Sequence, residues 1–262
     1  MESKDTHPTT LLIDDQLVID AGGLTASLTL EQQRKISSVL LTHHHLDHTR
    51  DLPTLGFNIA LWQGQIAVYA LPQTFEVIVP CLLDGRIYVN LLDCPSMVLK
   101  GAMLANPISP EEEKPPLILC KVEPYKKEII DGYEVLPISV NHSVPSIGYL
   151  VTSSTGESLF YTGDTGPGLS DCWRHISPRL LIIEATAPSR FTSELAEKGH
   201  LSPKSLKEEL VHFQLIKGYM PRVIVIHRAL PYEQEIKVEI EEVSEELKAD
   251  ISLGYEGMKV TI

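Results

Sequence analysis

Four histidines and one aspartate fall within six residues, His43-His44-His45-Leu46-Asp47-His48. Imidazole and carboxylate are good ligands for Zn, Mn or Fe, so this spacing points to metal chemistry. The plain alternative is a surface histidine run or a purification tag. A tag sits at a terminus, whereas this run follows the apolar stretch Ser38-Val39-Leu40-Leu41, which predicts a buried strand. Five polar side chains in six positions cannot all be satisfied in a core. His142, Asp164 and His227 each stand just past a predicted strand. Alone, each would be read as a cap or a satisfied polar group. Together with residues 43–48 they can converge on one sheet edge. Glu184 also follows a predicted strand, and His200 precedes Ser202-Pro203, a good helix start. Either His200 is a plain loop residue, or Glu184 holds it in one tautomer as a proton donor.

The elements that must position these groups are legible in outline. Residues 11–13 and 17–20 predict two short strands around a polar turn. Thr29 and Gln32 have capping-box spacing for a short helix over 29–35. Strand 38–42 delivers the histidine cluster, and 51–62 predicts the helix behind it, with Pro53 tolerable in its first turn. Residues 65–70 are strand-like, and 73–83 suits a helix interrupted by Pro80. The stretch 88–116, with five prolines and Glu111-Glu112-Glu113, is expected to be an irregular excursion or lid. Strands follow at 117–122, 133–140, 147–152, 157–162, 179–183 and 222–226, with 250–254 and 257–262 closing the chain. Helices are expected over 203–217 and 232–247. The pattern predicts two sheets between helices.

With 262 residues and 43% hydrophobic content, one large domain spanning 1–262 is expected, with an irregular insertion around 85–128. The balance of 22 basic and 35 acidic residues gives a net charge of −13, which disfavours a long nucleic acid as partner. A small-molecule substrate, such as a nucleotide phosphodiester, remains open to a local metal site. Cys81, Cys94, Cys120 and Cys172 form no C-x-x-C and suit isolated thiols in a reducing compartment. Met1 to Thr10 carries no apolar signal region, and no apolar run is long enough for a membrane span, so a cytoplasmic location is expected.

The pattern His-x-His-x-Asp-His resembles the signature of the metallo-β-lactamase superfamily. That resemblance implies an α/β fold, the four-layer αββα sandwich. It assigns His43, His45 and His142 to one metal and Asp47, His48 and His227 to the other, with Asp164 bridging. The implied cofactors are two divalent metal ions, Zn by ligand softness, with Mn or Fe fitting the same donors. Glu184 and His200 resemble the Glu and His of the phosphodiesterase branch, which includes tRNA 3′-processing endonucleases and class II cyclic-nucleotide phosphodiesterases. His142 with Gly148-Tyr149 resembles the same branch, and the His-Thr-Pro-Gly expected of thioesterases is absent. Leu46 and Gly199-His200-Leu201-Ser202-Pro203 look closer to the class II enzymes. The implied activity is phosphodiester hydrolysis by metal-bound hydroxide, with Asp47, His200 and Glu184 as catalytic residues. Hydrolysis of a carboxylic ester, lactone or thioester on the same centre is the alternative, followed by a non-catalytic metal-binding protein. A homodimer is compatible with either. Related chains usually begin with one more strand, which Met1 to Pro8 is too polar to supply.

Overall fold

A computed structural model describes residues 3, 6–93 and 114–262. They divide into two compact units, His7–Val122 and, with Ser3 and Thr6, Glu123–Ile262.

In the N-terminal unit, Leu11–Ile13 (β1) and Leu17–Ile19 (β2) form the expected hairpin. Asp14 and Asp15 turn it at φ 45° and 63°, a region that Asp enters more readily than most residues. Ser38–Leu40 (β3), Ile66–Ala70 (β4) and Leu117–Lys121 (β5) join in parallel, giving the order β1-β2-β3-β4-β5. Helices Leu24–Ser27 (α1), Leu30–Gln33 (α2), Leu46–Thr49 (α3), Leu52–Leu61 (α4) and Pro72–Ile78 (α5) flank the sheet sequence. Thr29 and Gln32 make the reciprocal capping box their spacing predicts. Val18, Val39 and Val68 of the sheet pack with Leu52, Leu55 and Ile59 of α4 in one core.

The helix expected over 73–83 departs from the prediction at Pro80. It ends at Ile78 and widens into a π turn over Val79–Leu83. Proline has no N–H to give to the α-helical ladder and crowds the carbonyl four residues back, and the wider turn absorbs that defect. Of the insertion expected around 85–128, residues 94–113 lie outside the described residues. So does Cys94. Leu117–Lys121, inside the same range, is a regular edge strand.

The C-terminal unit is built on a second sheet. Its strands are Glu128–Ile130 (β6), Tyr133–Ser139 (β7), Ile147–Thr152 (β8), Ser158–Tyr161 (β9), Leu180–Glu184 (β10), Arg222–Ile226 (β11) and Ile251–Leu253 (β12). They lie in the order β12-β11-β10-β9-β8-β7-β6. Strands β9 to β12 are parallel and β6 to β9 antiparallel. Strand β10 is buried along its whole length, as a central parallel strand should be. Helices Ser170–His175 (α6), Thr192–Glu197 (α7), Pro203–Lys217 (α8) and Glu233–Leu247 (α9) accompany it.

Helix α8 starts where the sequence predicts. Ser202 caps it, Pro203 takes the first position, and Gly218 ends it at φ 77°. Its Leu206, Leu210 and Phe213 pack with Leu181, Ile183 and Val225 of the sheet. Burying such a side chain contributes about 1.5–3 kcal/mol. The strand expected over 257–262 does not form. Those residues lie beyond the edge strand β12 and stay largely exposed, so their apolar alternation has no face to bury.

Candidate functional site

The expected ligands divide between the units: His43, His45, Asp47 and His48 in the first, His142, Asp164, Glu184, His200 and His227 in the second. The cluster at 43–48 is half loop and half helix. His43 to His45 leave β3, and Asp47 and His48 occupy the single turn of α3. That turn brings the His43 ring to 4.6 Å from His45 and 4.3 Å from His48, centroid to centroid. His44 points its ring to 5.6 Å from His45, and partial burial lowers its pKa.

The residue that holds this cluster is Asp20, just past β2 and fully buried. Its carboxylate accepts from the Thr42 N–H at 2.8 Å and from the Thr42 hydroxyl at 2.9 and 3.0 Å. It also lies 2.7 Å from His48 Nδ1. A carboxylate in this network only accepts, so His48 carries its proton on Nδ1. Thr42 has one hydroxyl hydrogen, and Asp20 takes it. The same oxygen, 3.0 Å from His43 Nδ1, therefore accepts from that ring. Both imidazoles are left with a bare Nε2. One buried carboxylate and one threonine thus set which nitrogen two histidines present.

The C-terminal unit repeats the device. His142 donates from Nδ1 to the Gly199 carbonyl at 2.8 Å, and burial lowers its pKa. Gly199 is needed here: at φ 74°, a Cβ would stand 2.7 Å from the His142 Cα. Glu184, at the end of β10, is fully buried and meets four donors. They are the Thr165 N–H at 2.8 Å, the Leu201 N–H at 3.1 Å, the Thr186 hydroxyl at 2.6 Å and His200 Nδ1 at 2.9 Å. His200 and His227 lie nearly parallel, 10° apart with centroids at 5.7 Å. Asp164, Glu184, His200 and His227 keep one ligand atom each within 4.8 Å of one another. Since both Glu184 oxygens are taken by donors, Glu184 here holds His200 and the loops around it.

His227 Nε2 faces Asp164 Oδ2 at 3.4 Å, with Asp164 only 2% exposed. In the N-terminal unit, His48 Nε2 faces Asp47 Oδ2 at 3.8 Å. With its Nδ1 protonated, His48 turns a lone pair toward that carboxylate, an arrangement that suits a cation between them. The donor sets of both units therefore fit divalent metal ions.

Asp20, Thr42 and Thr186 are functional positions that spacing did not single out. Asp20 had one available signal: it ends an apolar strand, as Glu184 does. Glu209 had another. This carboxylate stands on the apolar face of α8, where it accepts from the Gly168 and Leu169 N–H groups and from Trp173 Nε1 at 2.6, 3.2 and 2.9 Å. It anchors the loop that follows Asp164.

The Beta-lactamase superfamily domain matches residues 16–227. The chain belongs to that superfamily. Ribonuclease Z of Bradyrhizobium sp. (strain ORS 278) is 29% identical over 201 residues, which cover 64% of this chain and 66% of that relative, just under two thirds of its length. Unliganded yeast PDE1 superposes with a TM-score of 0.70 at 20% identity, over 87% of this chain and 69% of that one. The metallo-beta-lactamase fold protein YhfI of Bacillus subtilis superposes with a TM-score of 0.63 at 14% identity, over 95% and 88%. The expected α/β fold, two sheets with flanking helices, is the metallo-β-lactamase fold. The resemblance to the phosphodiesterase and tRNA-processing branch of the superfamily is also borne out. Among the described residues, no helix is long and apolar enough to cross a membrane.

Proposed function

We propose that this chain is a metal-dependent hydrolase that cleaves a phosphodiester in a small nucleotide or related substrate. Two divalent ions, Zn by donor softness and with Mn or Fe accepted by the same ligands, would be held by seven residues. His43, His45 and His142 would bind one ion, and Asp47, His48 and His227 the other, with Asp164 shared. The bare Nε2 atoms and the lone pairs that face carboxylates within each unit support this set. Bound ions would lower the pKa of water and neutralise the non-bridging phosphate oxygens.

The observation that carries the phosphodiesterase reading is the Glu184–His200 pair, 2.9 Å apart, with Glu184 fully buried. Glu184 keeps His200 Nδ1 protonated and directs Nε2 outward. A proton held on that Nε2 can pass to the leaving oxygen of the ester. Asp47, half exposed at the cluster, would orient the attacking water or accept its proton. The excess of acidic residues favours a small substrate over a long polyanion, since few cations are on hand to replace condensed counterions.

The test is hydrolysis of bis(p-nitrophenyl) phosphate by metal-loaded protein, with Asp47→Ala as control. Turnover that vanishes in the variant supports phosphodiester cleavage. Absent turnover, with two ions bound and a thioester or lactone hydrolysed instead, overturns it. Cleavage of precursor tRNA in preference to cyclic nucleotides would overturn the small-substrate assignment.

A further inference from the structure

Thr186 stands two residues past Glu184, where the chain leaves β10. Its backbone binds both loops that carry the histidines of this unit: its N–H donates to the Leu201 carbonyl at 2.9 Å, and its carbonyl accepts from the Ala229 N–H at 2.8 Å. Its hydroxyl is as central. It lies 2.6 Å from Glu184 Oε2, 3.1 Å from His227 Nδ1 and 3.4 Å from His200 Nδ1.

We propose that Thr186 is a positioning residue that fixes which nitrogen His227 presents to a metal ion. The inference rests on His227 being a ligand, as assigned above. The hydroxyl has a single hydrogen, and the short contact to a carboxylate oxygen takes it. The oxygen must then accept from His227 Nδ1–H, which leaves Nε2 bare and facing Asp164 Oδ2 at 3.4 Å. Without the hydroxyl, Nδ1 loses its acceptor. The proton then moves to Nε2, where it can bond directly to Asp164. That bond would occupy both ligand atoms and close the position to an ion. The backbone does not protect against this: His227 sits at φ 54°, so its ring is aimed by its contacts and not by an ordinary strand geometry.

Two measurements test the proposal. In metal-free protein, long-range ¹H–¹⁵N correlation of the histidine rings should show His227 protonated on Nδ1 in the wild type and on Nε2 in Thr186→Val. Chelator competition should show one of two ions bound about 10–100-fold more weakly in Thr186→Val, the range for losing such an outer partner, and close to normal in Thr186→Ser. His227 protonated on Nε2 in the wild type overturns the proposal even if the valine variant does not fold. Unchanged affinity for both ions in a folded Thr186→Val also overturns it. A wild type that binds fewer than two ions counts against the dinuclear assignment instead, and the ring tautomer still decides the role of Thr186.

Discussion

Asp20 controls two imidazoles through four close contacts, so it should matter more than its distance from the histidine motif suggests. In Asp20→Asn the amide can still accept from Thr42, and Asn tolerates the left-handed backbone at φ 59°. Its NH₂ group would then face His48 Nδ1 and force the other tautomer. We expect metal affinity to fall about 10–100-fold by chelator competition, with the fold intact. Unchanged affinity would show that Asp20 does not set the ring. His200→Ala should behave differently: turnover down about 10²–10⁴-fold, the usual worth of a positioned acid or base, at normal metal content. Retained turnover would remove His200 from the reaction. The ligand candidates were legible because histidines and acids that follow strands are chemically conspicuous. Their holders were not, because Asp20 meets Thr42 and His48 across 22 and 28 residues of sequence.

The elements that deliver these side chains follow one plan: a short buried strand, then a loop whose first polar residues carry the chemistry. Strands β3, β10 and β11 were readable from unbroken apolar runs. Helices α1, α6 and α7 were not, because pieces of four to six residues carry too little periodicity and are held by tertiary contacts. Helix α8 was predicted correctly, but its buried Glu209 was not explained by amphipathicity. Glu209→Leu fills the space yet abandons three donors, the Gly168 and Leu169 N–H groups and Trp173 Nε1–H. Since each unsatisfied buried donor costs about 1–3 kcal/mol, a loss of roughly 3 kcal/mol or more should appear in the urea midpoint. A shift within the scatter of surface variants would mean that the loop re-satisfies itself with water.

At the scale of the whole molecule, the net charge of −13 works against the approach of an anionic substrate. Added salt screens that repulsion, so kcat/KM for a phosphodiester should rise between about 10 and 150 mM salt. A fall over the same range would reveal a local positive field that the composition hides. The cysteines report on folding. Burial pushes the Cys172 thiol far above its ordinary pKa, whereas Cys81 is exposed. Thiol reagent at pH 8 should label Cys81 at once and Cys172 only after unfolding, because the thiolate is the reactive form.

The convergence on Glu184 also has an evolutionary consequence. Two backbone groups, a hydroxyl and an imidazole all take their hydrogen-bond partner from this one carboxylate, so positions 184, 186 and 200 cannot drift independently. Loss of the acid strands the threonine and the histidine together. Across related chains, the three residues should be exchanged as a set, and histidine at 227 should be retained most firmly where an acid at 184 and a hydroxyl at 186 both survive.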